Sequence, residues 1–140
     1  MGRLDNFEIY TRNSNRKIFI SITAYGLTFS KGAVEALDYP QYVHVLFDKN
    51  TTSMAIKSCE KDRQARVFVK NRNANRASFV RWNDKKLINF ITQLGNLELA
   101  SKGVRIQGDY FDDENVLIFN LKDYSFINYK NNFFQSVDKA

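Results

Sequence analysis

The chain has 140 residues, of which 44% are hydrophobic and 14% aromatic, and its formal net charge is +6. This apolar content argues against global disorder, and a chain of this length can bury roughly two thirds of its unfolded surface. Its single cysteine excludes an intramolecular disulfide and favours a reducing, cytoplasmic location. No apolar run has the length of a membrane span or a secretion signal.

The N-terminal region predicts β-strands. Leu4, Phe7 and Ile9 favour a short edge strand, and the stretch KIFISITAY (17–25) alternates with the period of a half-buried strand. Gly26 permits a tight turn, after which Leu-Thr-Phe resumes an extended segment.

A short helix and a hairpin are expected next. Ser30 is a suitable N-cap for a helix over 31–38, because its hydroxyl can accept a hydrogen bond from a first-turn amide. Tyr39 precedes Pro40 and is therefore expected in extended geometry, so the helix must end there. Alternating apolar residues around the turn DKNTT predict a hairpin over 43–56.

The second half predicts a similar order of elements. Strands at 66–70 and 77–82 would be joined by a turn around RNAN. Asp84 would cap the helix KKLINFITQLG, and Gly95 would supply its left-handed C-terminal residue. A final hairpin is expected over 104–121.

These elements predict one compact α+β domain over 1–140, with two βαββ units forming a mostly antiparallel sheet or small barrel with two short helices. The units would be pseudo-repeats at 18–58 and 78–121, followed by an aromatic tail at 122–140. Their residue identity is poor, so tandem duplication and chance recurrence of a common local order both stay open. For the tail, packing on the domain and an exposed patch are both open.

The strongest functional signal is the basic connector, which we define as residues 57–86. It holds ten Lys or Arg against three acids, a larger excess than the whole chain carries. Such cations bind phosphates by releasing counterions, and Phe68, Phe79 and Trp82 could stack on unpaired bases. The candidate nucleic-acid-binding residues are Lys61, Arg63, Arg66, Lys70, Arg72, Arg76, Arg81, Trp82, Lys85 and Lys86.

Two other interpretations of the basic connector stay open. The cations could line the solvated face of a strand pair whose other face, with Val67, Val69 and Phe79, belongs to the core. They could also dock on an acidic protein surface. The protein would then be an adaptor, or an inhibitor that a phage or mobile element encodes against a host defence nuclease. We expect DNA or RNA as the partner, such a protein as the alternative, and no membrane.

The sequence predicts no enzyme, no cofactor and no metal site. His44, the only histidine, lies in an alternating strand, which favours a structural or solvent-facing role. Cys59 lies between Lys57 and Lys61, which could lower its thiolate pKa, but no base in an identifiable motif accompanies it. The acids of 109–114 lack EF-hand spacing and fit a solvated hairpin turn.

The stretch SKGAVEALDYPQYVHVLFD (30–48), preceded by Gly26 and an apolar triplet, resembles the DNA-binding half of AbrB-type regulators and the related MraZ and MazE families. The resemblance covers residues 22–56, with a second set at 79–119. It implies a swapped-hairpin β-barrel that often dimerises, although two units in one chain can close a barrel alone. The chain over 20–61 also resembles a group of small bacterial and phage-type proteins with the pattern AAVEALGxPxxVxLLxD, which implies no activity.

One departure from the AbrB-type pattern affects the site. AbrB-type regulators place arginines directly after the glycine and within the helix, where this chain has Leu27, Val34, Glu35 and Ala36. Their DNA-contact residues therefore do not carry over, and a nucleic acid would have to be bound by another surface.

Overall fold

The computed structural model describes residues 2–7, 17–70, 79–99 and 103–127. Within them the chain is a mixed α+β fold with two helices and one curled, antiparallel eight-stranded sheet, which confirms the expected class. The elements are β1 (Phe19–Ile22), β2 (Leu27–Phe29), α1 (Lys31–Ala36), β3 (Tyr42–Asp48), β4 (Ser53–Cys59), β5 (Arg66–Val67), β6 (Val80–Trp82), α2 (Lys85–Gly95), β7 (Val104–Phe111) and β8 (Val116–Phe126). Neither helix is long and apolar enough to cross a membrane.

The strand order is β5-β3-β4-β8-β7-β1-β2-β6, and its two edge strands approach each other. The Trp82 indole Nε1 in β6 donates a hydrogen bond to the Val67 carbonyl oxygen in β5 at 3.2 Å. The Arg66 guanidinium lies 4.3 Å from the centre of the Trp82 ring. We call this meeting of the edges, formed by Arg66, Val67, Trp82 and Asp84, the seam. Side chains thus connect the two edges of the curled sheet.

The strands of the basic connector differ from the prediction. Strand β5 is two residues long and pairs with β3, while β6 pairs with β2. The two strands are therefore not joined as a hairpin ladder, and their contact across the seam is made by side chains. Residues 71–78, which include the expected turn, lie outside the described residues.

Inward-facing side chains fill the curled sheet with one apolar core. Phe29 is fully buried near its centre, and its ring makes edge contacts with Phe68 and Trp82 at 5.0 Å each and with Phe119 at 6.3 Å. Such contacts join both edges of the sheet and its middle in one packed unit.

Helix α1 begins as the sequence predicts and ends earlier. The Ser30 hydroxyl accepts from the Ala33 amide at 3.2 Å and donates to the Lys17 carbonyl at 2.9 Å, so it caps the helix and fixes the approach to β1. Asp38 and Tyr39 both have positive φ, 62° and 53°. The predicted extended geometry of Tyr39 is therefore wrong, because its amide turns back to donate to the Val34 carbonyl and completes the helix end.

Helix α2 has the predicted cap and a shifted end. The Asp84 carboxylate accepts from the Leu87 amide at 3.1 Å. Its left-handed residue is Asn96, with φ 53°, and not Gly95 as predicted. Gly95 is needed for space, since a Cβ there would lie 2.9 Å from the Cβ of Leu121 on β8.

Both predicted hairpins are confirmed, and both have longer strands than the sequence indicates. Strand β8 continues to Phe126, so the start of the expected aromatic tail pairs with β7. At the N-terminus the edge strand predicted around Leu4 and Phe7 is wrong: residues 3–6 form a local turn in which the Phe7 amide donates to the Leu4 carbonyl. Ile9 lies outside the described residues.

Gly108, at the irregularity in the β7–β8 pairing, tests the packing of the core. A Cβ at this position would lie 2.4 Å from Cε1 of the fully buried Phe119 ring. We expect Gly108→Ala to lower the free energy of unfolding by about 1 to 3 kcal/mol, as overpacked core variants do. Urea denaturation measures the change.

The matched control is Gly26→Ala, whose Cβ would meet the flexible guanidinium of Arg81. Because that exposed side chain can move away, we expect a change within about 0.5 kcal/mol. Equal stability losses in the two variants would contradict this account of the Phe119 packing.

Candidate nucleic-acid interface

The structure describes eight of the ten predicted binding residues; Arg72 and Arg76 lie outside the described residues. The eight are close in sequence to the seam, each within five positions of a seam residue or part of it. They approach it from the turn before β5, from β5 and the segment after it, and from β6 and the start of α2. The contact between the sheet edges brings β5 and β6, which come from separate parts of the basic connector, to one place.

Arg66 is occupied by contacts inside the seam. Its Nη1 lies 3.0 Å from Oδ2 of Asp84, both side chains are about one-third exposed, and its guanidinium covers the Trp82 ring. The Leu87 amide, followed by Arg66, lowers the pKa of Asp84 below its usual value. Arg66 therefore stabilises the seam, and a phosphate would have to compete with Asp84 for it.

A second acid of the basic connector is also occupied. Asp62 lies 2.8 Å from Nε2 of His44, and its carboxylate accepts from the Gln64 amide at 2.9 Å. Desolvation opposes the charged form of Asp62, but these donors outweigh it and lower its pKa. His44 thus has a structural partner, in agreement with its predicted role.

The remaining cations of the connector are free to act on a ligand. Within the described residues the pairs of oppositely charged groups are Arg66–Asp84 and, when the imidazole is protonated, His44–Asp62. In the same part of the chain, seven exposed cations of the connector lie outside both pairs. Lys57 and Arg81 are held by hydrogen bonds. The five that make no side-chain hydrogen bond within the described residues are Lys61, Arg63, Lys70, Lys85 and Lys86. The acids near the seam are thus partly neutralised while these five cations face solvent, which leaves a net positive surface.

Of the three aromatic residues that were predicted to stack on bases, two are buried and one is exposed. Trp82 is 8% exposed and Phe68 is 4% exposed, so both rings belong to the core and the predicted stacking role of Trp82 does not fit its position. Phe79 is 62% exposed and presents a free ring. The alternative placed Val67, Val69 and Phe79 in the core. It is confirmed for Val69 and wrong for Phe79 and for Val67, which is 45% exposed.

Arg81 lies on the outer face of the sheet, opposite its inward neighbours in β6. Its Nη1 donates to the Thr28 hydroxyl at 3.1 Å and its Nε to the Asn83 side-chain oxygen at 3.0 Å. The guanidinium lies close to Gly26, where an added Cβ would displace it. Gly26 does not have a positive φ. No carboxylate neutralises Arg81 within the described residues.

The same outer face holds a cation that the sequence argument missed. Arg105 on β7 places its guanidinium 4.2 Å from the ring centre of Phe19 on β1, and its Nε is buried without a hydrogen-bond partner. The signal was present in the period-two alternation, which puts Phe19 and Arg105 opposite the aliphatic residues of their strands. Local charge density does not indicate Arg105, because this residue lies outside the basic connector.

Cys59 and the carboxylates of the β7–β8 turn have the following surroundings in the described residues. Burial, followed by the charges of Asp62 and Glu60, raises the pKa of the Cys59 thiol, so the suggested lowering by Lys57 and Lys61 is wrong. No group of three or more potential metal-binding side chains occurs in this part of the chain. The predicted acidic hairpin turn is confirmed at residues 112–115, and its three acids are exposed.

Comparisons with protein-family models, with curated proteins and with solved structures returned no match.

Removal of the Asp84 carboxylate tests the seam. We expect Asp84→Ala to lower the free energy of unfolding at pH 7 by about 1 kcal/mol or more, because α2 loses its cap and Arg66 its partner. The pKa of Asp84 is lowered by folding, so its contribution is present above about pH 4 and is lost as the pH falls through the folded-state pKa.

Urea denaturation at pH 7 and at several lower pH values measures the difference between wild type and Asp84→Ala. Asp113→Ala, in the exposed β7–β8 turn, is the control and should be nearly neutral. A difference between Asp84→Ala and wild type that does not shrink on acidification would contradict the role of the ionised carboxylate.

Proposed function

We propose that the protein is a non-enzymatic nucleic-acid-binding protein that uses the surface around the seam, and that DNA is its first candidate partner. The supporting observation is the set of exposed, unpaired cations Lys61, Arg63, Lys70, Lys85 and Lys86, beside acids already held by His44 and Arg66. A phosphate chain that lies across these cations releases counterions and gains affinity without a specific base contact. Its single cysteine favours action in a reducing cytoplasm.

We also propose a regulator-like protein of the AbrB, MraZ and MazE type, carried by a phage or mobile element, in which two βαββ units close one barrel. The support is the pairing of equivalent strands: β2 pairs antiparallel with β6, and β4 pairs antiparallel with β8. Two repeats related by a two-fold axis pair their equivalent strands in this way.

The remaining pairings agree with the same repeat. The β1–β7 pair has its counterpart in the β5–β3 pair, and the seam between β5 and β6 stands where the first half has the β1–β2 pair. Ser30 and Asp84 cap the equivalent helices. A tandem repeat therefore accounts for the whole strand order, including the seam. With both units in one chain, the barrel needs no second copy, although a homodimer is compatible with it.

Salt dependence tests the proposed function. We expect duplex DNA and single strands to bind at low salt, with the logarithm of the affinity falling linearly with the logarithm of the salt concentration. Replacing all five unpaired cations by Gln should weaken binding and reduce the slope by about 0.9 per lost contact on duplex DNA, or about 0.7 on a single strand. Fluorescence anisotropy with labelled oligonucleotides measures both quantities.

A Lys49→Gln, Lys122→Gln double variant is the matched control, because both lysines are exposed and lie on other loops and strands. It should keep the wild-type slope. Absence of binding at low salt, or an affinity indifferent to salt, would overturn the proposal.

A second candidate function is a protein-binding adaptor or inhibitor. It is favoured by an apolar row on the outer face of the sheet, where Leu46 on β3, Ala55 on β4 and Ile118 on β8 are direct cross-strand neighbours. Leu46 is 46% exposed. Such a row suits a partner that has an apolar patch of its own.

A pull-down from cells, with and without nuclease treatment, separates the two functions. Partners that survive the treatment and are lost in a Leu46→Asp variant would support the adaptor. Loss of all partners after nuclease treatment would support nucleic-acid binding and contradict the adaptor.

A further inference from the structure

The outer face of β7, β1, β2 and β6 carries a second set of features that the basic connector does not explain. Direct cross-strand neighbours in one row across these strands are Arg105, Ser21, Thr28 and Arg81. Because adjacent strands lie about 4.8 Å apart, the two arginines stand about 14 Å apart at the ends of this row. Between them lie two hydroxyl side chains, so the row is polar and offers hydrogen-bond donors along its whole length.

The two arginines are held in place without being neutralised. Arg81 is fixed by Thr28 and Asn83, and Arg105 by the ring of Phe19. Neither makes an ion pair within the described residues. Their charges are thus oriented towards the outer face and remain available to an anion, and less side-chain entropy is lost when a ligand binds.

Next to this row lies an open groove of about 540 Å³. Phe19 on β1 and the exposed Phe79 before β6 line it on either side of β2. Lys17, Lys31 and one acid, Glu35, also line it. Lys17 and Lys31 are exposed and outside the ion pairs of the described residues. The groove therefore combines flat apolar surface with a net positive charge.

Those properties specify a ligand with flat apolar faces and regularly spaced negative charges. In a duplex the base faces are stacked on one another and cannot reach the Phe79 ring, whereas an unpaired strand exposes them. An acidic peptide supplies charge but no regular series of flat rings. The charge and the aromatic exposure together favour a single-stranded nucleic acid.

We propose that this outer face, with Phe79, Arg81, Arg105 and Lys31, is a binding surface for single-stranded DNA or RNA. A base stacks on Phe79, and the phosphates run along the line between the two arginines. This inference rests on the proposed nucleic-acid binding and deepens it, because it assigns the strand type to a surface separate from the five unpaired cations near the seam.

Phe79→Ala tests the stacking contact. The side chain is 62% exposed, so its removal should leave the fold intact. We expect an oligothymidylate of about 16 nucleotides to bind about 5- to 140-fold more weakly, the range for loss of one stacked base. Binding of the matching duplex and the salt slope should stay as in the wild type. Phe111→Ala, which removes another exposed ring at the far hairpin, is the control.

Phe79→Trp provides a second measurement that does not depend on loss of binding. The new indole keeps a stacking surface, so affinity should be retained and its fluorescence should be quenched by the single strand but not by the duplex. An Arg81→Gln, Arg105→Gln double variant should weaken single-strand binding and reduce the salt slope by about 1.4 if each arginine meets one phosphate.

The outcomes separate this inference from the proposed function. If the quintuple Gln variant loses binding while Phe79→Ala and the double Arg variant bind single strands normally, the proposed function stands and this surface is wrong. Equal losses on single strand and duplex in Phe79→Ala would also overturn it. If no nucleic acid binds the wild type at low salt, both proposals fail.

Discussion

The fold depends on the contact of two sheet edges that are distant in the strand order. The Trp82 indole donates to the Val67 carbonyl, and the rings of Trp82 and Phe68 meet on Phe29 in the middle of the core. A curled sheet with open edges would expose these rings and leave edge backbone groups unpaired. The seam buries the rings and brings two segments of the basic connector together, β5 and β6. The position of the cations is therefore a consequence of core packing.

Packing at the seam also determines which charges remain available. Arg66 covers Trp82 and holds Asp84, and Asp84 in turn caps α2. Because Arg66 and Asp84 pair with each other, one positive and one negative charge near the seam are neutralised together. Since Asp62 is held by His44 and its own turn, the connector keeps its excess of exposed cations. A polyanion approaching this side meets less opposing negative charge than the composition alone suggests.

Local elements were predictable from the sequence, whereas their assembly was not. The caps Ser30 and Asp84 and both hairpins follow from short-range rules of hydrogen bonding and turn chemistry. The pairing of β5 with β3 and of β6 with β2 is long-range, and no local pattern distinguishes it from a simple hairpin. Charge density identifies the connector in the sequence. It cannot show that Arg66 pairs with Asp84 or that Trp82 is buried, because both depend on the same long-range contact of β5 and β6. Arg105 was missed because it lies far along the chain from that density.

Strand alternation alone does not explain the outer face. Phe19 has a structural reason to be there, because aromatic residues suit strands and its ring holds Arg105. Neither explanation applies to Phe79. It lies before β6 and outside any strand, and its ring has no aromatic or cationic partner among the described residues. An exposed phenylalanine adds nothing to the core, whose neighbouring positions Val80 and Trp82 already face inward. Its place beside the Arg81 row is best explained by a ligand that carries both flat rings and negative charge.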